Sequence, residues 1–197
     1  MNDYRPRPLV LVNRHAGERL ELRRVEDERG LWLELKGRLP PHSEGPPLHV
    51  HFREDEGGRV LSGTASATVG GLEIERQAGE DLSFPRGVAH RWWNAGDQTL
   101  VFEGFARPLV DLDRYLQAVF EIVNAGPEGH PPLFYMAHAA RRHRTTQASF
   151  VAPRPVQAVL FPLLVGLGTM LGKYRGTQWP GCPVRCTGAP MALAGDD

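Results

Sequence analysis

The sequence predicts a mainly β domain of barrel or sandwich type, followed by a helical appendage. Three observations carry this reading. The first hundred residues consist of short β-branched or alternating runs separated by Gly, Pro and Asp, at the spacing of an all-β fold. Gly70-Gly71 stands between TASATV and LEIE and supplies two residues free to take positive φ, which a two-residue hairpin loop requires. After Pro108 the period changes: Leu112, Leu116, Val119, Phe120 and Val123 recur at helical spacing.

In chain order, the strands fall at roughly 7–13, 18–26, 31–38, 47–52, 59–69, 72–77, 81–84, 89–94 and 98–106. The helix that follows has Asp111 where an N-cap belongs and ends at Gly126-Pro127. Further on, the apolar run from Ala158 to Gly172 is shorter than the ~20 residues a membrane span needs, and Pro162 and two glycines interrupt it. It is expected to be a helix packed on the sheet domain or on a second copy of the chain, not a membrane span. The domain division is therefore residues 1–107 for the β domain, with its motif core at 43–107, 108–174 for the helical appendage, and 175–197 for a Gly- and Pro-rich flexible tail.

Composition narrows the function. At 197 residues and 41% hydrophobic, the chain is long enough for one real core. Lys plus Arg and Asp plus Glu number 23 each, so no net charge favours nucleic acid or anionic lipid as a bulk partner. The cysteines are two, Cys182 and Cys186, without two-plus-two zinc spacing, and they are expected to be spectators. The start MNDYRPRPLVLV has no cationic, apolar and small-residue series of a secretory signal, so a reducing cytoplasm is the expected location.

The chemistry lies between His49 and Asn94. In HVH, His49 and His51 leave the same face of an extended strand, about 7 Å apart along its axis. Glu56 follows His51 by five residues, which changes parity, so it joins the histidines only if the chain bends at FRED; Gly57 and Gly58 would permit that bend. In PRGVAHRWWN, Pro85 and Gly87 build a turn that delivers His90 onto a new strand.

These residues resemble the cupin superfamily position by position. The first motif, HxH, four residues, E, six residues, G, is met by His49, His51, Glu56 and Gly63. The second, G, five residues, PxG, two residues, H, three residues, N, is met by Gly79, Pro85, Gly87, His90 and Asn94. The stretch between them, Thr64 to Ala78, also has the usual length, and the likeness covers about residues 30–107. The resemblance implies a single jelly-roll barrel holding one divalent metal ion on His49, His51, Glu56 and His90. Two departures stand out: Ser43 replaces the glycine that usually opens the first motif, and Gly58 replaces a commonly bulky inward residue, which suggests a cavity enlarged beside the metal. Glu54 and Asp55 are alternative carboxylates, but Glu56 alone has the motif spacing.

Three imidazoles and a carboxylate suit Fe, Mn, Co, Ni, Cu or Zn and leave coordination positions open, and each imidazole needs a partner for its second ring nitrogen. The implied activity is a metal-dependent oxygenase, similar to quercetin dioxygenase-like cupins, acting on a small aromatic or enol-bearing substrate with Glu56 as ligand and base. A metal-assisted isomerase, cyclase or lyase is the alternative within enzymes, and a non-catalytic small-ligand sensor or binding protein the alternative outside them. The rest reads blandly. Trp92, Trp93, Phe84 and Phe105 are expected in the core, Arg141 to Arg144 at a solvated helix end or dimer contact, and His15, His42, His130, His138 and His143 at the surface. Exposed sheet edges and the apolar helix favour a homodimer.

Overall fold

A computed structural model describes residues 7–183. Eleven strands form two antiparallel sheets among the described residues. They are β1 (Leu9–Val12), β2 (Arg19–Asp27), β3 (Gly30–Leu39), β4 (His49–His51), β5 (Asp55–Ser62), β6 (Thr64–Val69), β7 (Leu72–Gln77), β8 (Asp81–Phe84), β9 (His90–Trp93), β10 (Leu100–Arg107) and β11 (Gln147–Ser149). One sheet has the order β1-β2-β3-β10-β5-β8 and the other β11-β4-β9-β6-β7. Between β3 and β10 the chain passes between the sheets from β3 to β4, β4 to β5, β5 to β6, β7 to β8, β8 to β9 and β9 to β10, a jelly-roll winding. The sheets are not hydrogen-bonded to each other into a closed barrel.

The run predicted as one strand over 59–69 is two strands in different sheets. Gly63 separates them with φ of +77°, where an added Cβ would lie 2.8 Å from the Thr99 carbonyl oxygen. Hydrophobic alternation cannot show this, because the residues on either side keep strand character. The Gly70-Gly71 turn joins β6 to β7 in the predicted register, with Val69 opposite Leu72.

Three helices follow: α1 (Leu112–Ala125), α2 (Leu133–Arg142) and α3 (Arg154–Met170). The sequence reading contains α1 and α3 but neither α2 nor β11. Alternation on β2 and β3 turns Leu20, Leu22, Leu33 and Leu35 to one side, where Leu112 and Phe120 of α1 pack on them. Full burial of a leucine contributes roughly 1.5–3 kcal/mol, so this cluster ties α1 to the sheet. Asp111 holds the N-cap position of α1 but makes no capping bond there; its carboxylate turns instead to His143.

Pro162 lies inside α3, which packs beside α2 and leaves Val159, Leu163 and Met170 exposed at 65%, 65% and 82%. Among the described residues no helix is long and apolar enough to cross a membrane. The part of the expected loose tail that is described is packed: Trp179 is buried and stacks on Tyr135 at 5.7 Å, and Gly181 N–H donates to Glu121. Cys182 is buried; Cys186 and the remainder of the tail lie outside the described residues.

Candidate metal centre

The three histidines come from one sheet and the carboxylate from the other. β4 carries His49 and His51, and β9 lies beside it with His90 directly opposite His49. The Pro85 turn delivers β9 in that register: Val88 N–H donates to the Pro85 carbonyl, and Gly87 N–H donates to the His51 carbonyl at 2.7 Å. The bend that brings Glu56 across lies at Phe52–Arg53, between the sheets and within the FRED segment where the sequence reading puts it; Gly57 and Gly58, expected to permit it, take no part in the bend. Those two glycines sit within β5, where an added Cβ would come 2.9 Å from Leu82 O at position 57 and 2.4 Å from Glu103 O at position 58. Gly58 therefore serves close strand approach. The cavity does pass it, but a side chain there would meet the backbone of β10 before filling that space.

One donor atom from each of His49, His51, Glu56 and His90 lies within 4.8 Å of the others. Glu56 Oε2 is 3.4 Å from His51 Nε2 and 3.3 Å from His90 Nε2. Two of the three second nitrogens have the outer acceptor that metal-ligating imidazoles require. His49 Nδ1 is 2.9 Å from the Pro47 carbonyl oxygen and His90 Nδ1 3.0 Å from that of Val88, so Nδ1–H donates outward and Nε2 is left for the centre. His51 Nδ1 faces Glu54 Oε2 at 3.8 Å, and neither atom has a hydrogen-bond partner. The donor set and its supports fit one divalent ion.

Charge follows burial and neighbours. Burial pushes His49 down to about 4 and also lowers His51, so both imidazoles are neutral at pH 7. Burial alone would raise Glu56, but the surrounding imidazoles outweigh it and hold the carboxyl down to about 2. Glu54 behaves oppositely. Fully buried, it is pushed up to about 7 by desolvation, against the lowering effect of the hydrogen bond it accepts from Val110 N–H at 2.7 Å. It thus spans His51 and the approach to α1. Asp55 turns outward to pair with Arg86.

The remaining motif residues are structural. Asn94 is fully buried, its amide donating to the carbonyls of Leu39, Pro40 and Gln98 and accepting from Gly96 N–H. Phe84 stacks on His90 at 4.6 Å, Trp92 packs edge-on to Phe102, and Arg91 lies over Trp93. Phe105, expected in the core, is 38% exposed.

A cavity of about 490 Å³ opens on His49, His51 and Glu56. Leu35, Val60 and Phe102 line it from the sheets, Leu116 and Phe120 from α1, and Met136 from α2. Its polar lining includes residues that the sequence reading left unassigned. His143, expected at the surface, is 3% exposed and its Nδ1 lies 2.5 Å from Asp111 Oδ2. Tyr115, Gln147 and Ser149 also face the cavity. No spacing signal marks these residues, since β11 reaches the site only by pairing with β4.

Residues 36–106 match the cupin domain family. The match lies on the β strands that carry the four clustered side chains, and the rest of the chain falls outside it. It is 38% identical over 79 residues to Oxidoreductase iacF of the fungus Pestalotiopsis fici, a match spanning 39% of this chain and 39% of that protein. Among solved structures, KdgF from Halomonas sp. is 20% identical with a TM-score of 0.41, covering 49% of this chain and 84% of its own. A predicted oxalate decarboxylase from Thermotoga maritima is 23% identical with a TM-score of 0.38, covering 51% and 90%.

Proposed function

We propose that this chain is a metal-dependent cupin enzyme, an oxygenase acting on a small aromatic or enol-bearing molecule. The observation that carries the reading is the convergence of four buried or half-buried donors at the end of an apolar cavity large enough for a small organic ligand. The local likeness to a fungal oxidoreductase supports the redox part. A divalent ion at this site supplies Lewis acidity and, for a redox-active metal, a route to dioxygen chemistry. The protein's own contribution is defined by its side chains. Carbonyl acceptors at Pro47 and Val88 orient two imidazoles, and apolar walls exclude water. Glu56, ionised at neutral pH, is placed to take a proton from a substrate hydroxyl at Oε2.

The test is metal analysis of protein purified without added metal, with His51→Ala as control, followed by oxygen uptake on flavonols and diketones with Fe, Mn, Ni, Co or Cu. Metal in the wild type only, with oxygen consumed, supports the reading. Equal substoichiometric metal in both proteins overturns it. Product formed without oxygen moves the assignment to a metal-assisted isomerase, cyclase or lyase, and tight ligand binding without turnover to a binding module. A homodimer and a cytoplasmic location complete the reading. The exposed apolar residues of α3 support the first and the sparse cysteines the second; sedimentation of the full chain tests the dimer.

A further inference from the structure

β11 follows α2 in the chain, outside the strands that carry the four clustered side chains, yet joins their sheet. It pairs antiparallel with β4, placing Gln147 opposite His51 and Ser149 opposite His49. Directly opposed residues of an antiparallel pair share a face, with Cβ atoms ~4.5–5.5 Å apart. Gln147 and Ser149 therefore form a polar rail beside the two histidines. Ser149 is 3.5 Å from the Tyr115 hydroxyl, and burial raises the Tyr115 phenol, which keeps its proton. Gln147 is different. It is 4% exposed, it lines the cavity, and neither its amide oxygen nor its amide nitrogen has a hydrogen-bond partner. Buried side-chain amides without any partner are rare in folded proteins and call for an explanation. Most of the surrounding cavity wall is apolar, so the unmatched amide faces the space a ligand would fill.

We infer that Gln147 orients the ligand, pairing its amide N–H and C=O with a ligand head that carries a hydroxyl beside a carbonyl. An amide offers a donor and an acceptor side by side, and that head is its complement. The same oxygen pair has lone pairs left to face the metal centre next to His51. An apolar ring behind the head fits the Leu116, Phe120 and Met136 wall. The inference rests on the proposed metal site for its geometry, but its test does not.

The probe is tropolone, a hydroxyl beside a ring carbonyl, titrated by tryptophan fluorescence against metal-free and cobalt-loaded protein. Azide binding to the cobalt form, which needs only the ion, serves as control. Gln147→Leu removes both hydrogen-bonding groups at similar size and is expected to weaken tropolone about tenfold or more. Cobalt content and azide affinity should stay at wild-type values. Equal tropolone affinity in wild type and Gln147→Leu overturns the inference and leaves the metal reading intact. So does a wild type that binds cobalt and azide but no tropolone. Failure of the wild type to hold cobalt sinks the metal reading alone, and a Gln147-dependent loss of tropolone in the metal-free protein then still supports the orienting role.

Discussion

Residues 49–94 and residues 111–157 meet at the same cavity by different routes. In the first region every donor is placed by short-range devices: alternation on β4, a bend at Phe52–Arg53, and the Pro85 turn bonded back to His51. In the second region the cavity-facing residues arrive through docking. α1 lies on Leu33 and Leu35 through Leu112 and Phe120, and β11 reaches the site by adding to the edge of β4. The difference teaches that a spaced motif can gather four potential ligands by itself, while a segment with no motif supplies much of the wall of the chamber beside them.

Four changes break or sharpen that comparison. The largest effect is expected for His90→Ala, which removes a direct donor: metal affinity falls by about a thousandfold, ~4 kcal/mol, with the fold retained. Metal content after dialysis, beside a circular dichroism spectrum, checks it. Phe120→Ala acts on the other region. It is expected to cost about 3 kcal/mol in denaturant unfolding and to leave the folded protein's metal stoichiometry unchanged. Loss of metal in this variant would mean that the two regions are not separable.

Next is the Asp111–His143 pair. Burial alone would raise the Asp111 carboxyl, but hydrogen bonds from His143 and Thr146 outweigh it and hold the group below its ordinary value. Because the folded value is depressed, the contribution is full above the ordinary carboxylate range near pH 4 and is lost as pH falls through the folded value. Asp111→Asn is expected to destabilise by about 1–2 kcal/mol at pH 7. Unfolding curves of variant and wild type should converge at the acid end, and a constant gap down to acid pH would remove the Asp111 carboxylate as the cause.

The smallest change is Glu54→Gln. Its oxygen still accepts from Val110 N–H, but the carboxyl facing His51 Nδ1 is gone, and metal affinity is expected to fall about tenfold, the lower end for an outer partner of a ligand. Competition with a chelator measures it. An unchanged affinity would show that Glu54 serves only the docking of α1.

The sequence by itself determined the mainly β fold, the turn at Gly70-Gly71, the start and end of α1, and which four side chains cluster. Periodicity and motif spacing report local geometry, and those features are local. Tertiary structure alone decided that 59–69 is two strands, that His143 is buried, that Asp111 faces His143 instead of capping α1, and that Gly58 answers to the backbone of β10. It also decided that Gln147 stands beside His51. A three-residue strand carries too little pattern to be recognised in a sequence, and its partner is chosen by which sheet edge the docked helices bring within reach.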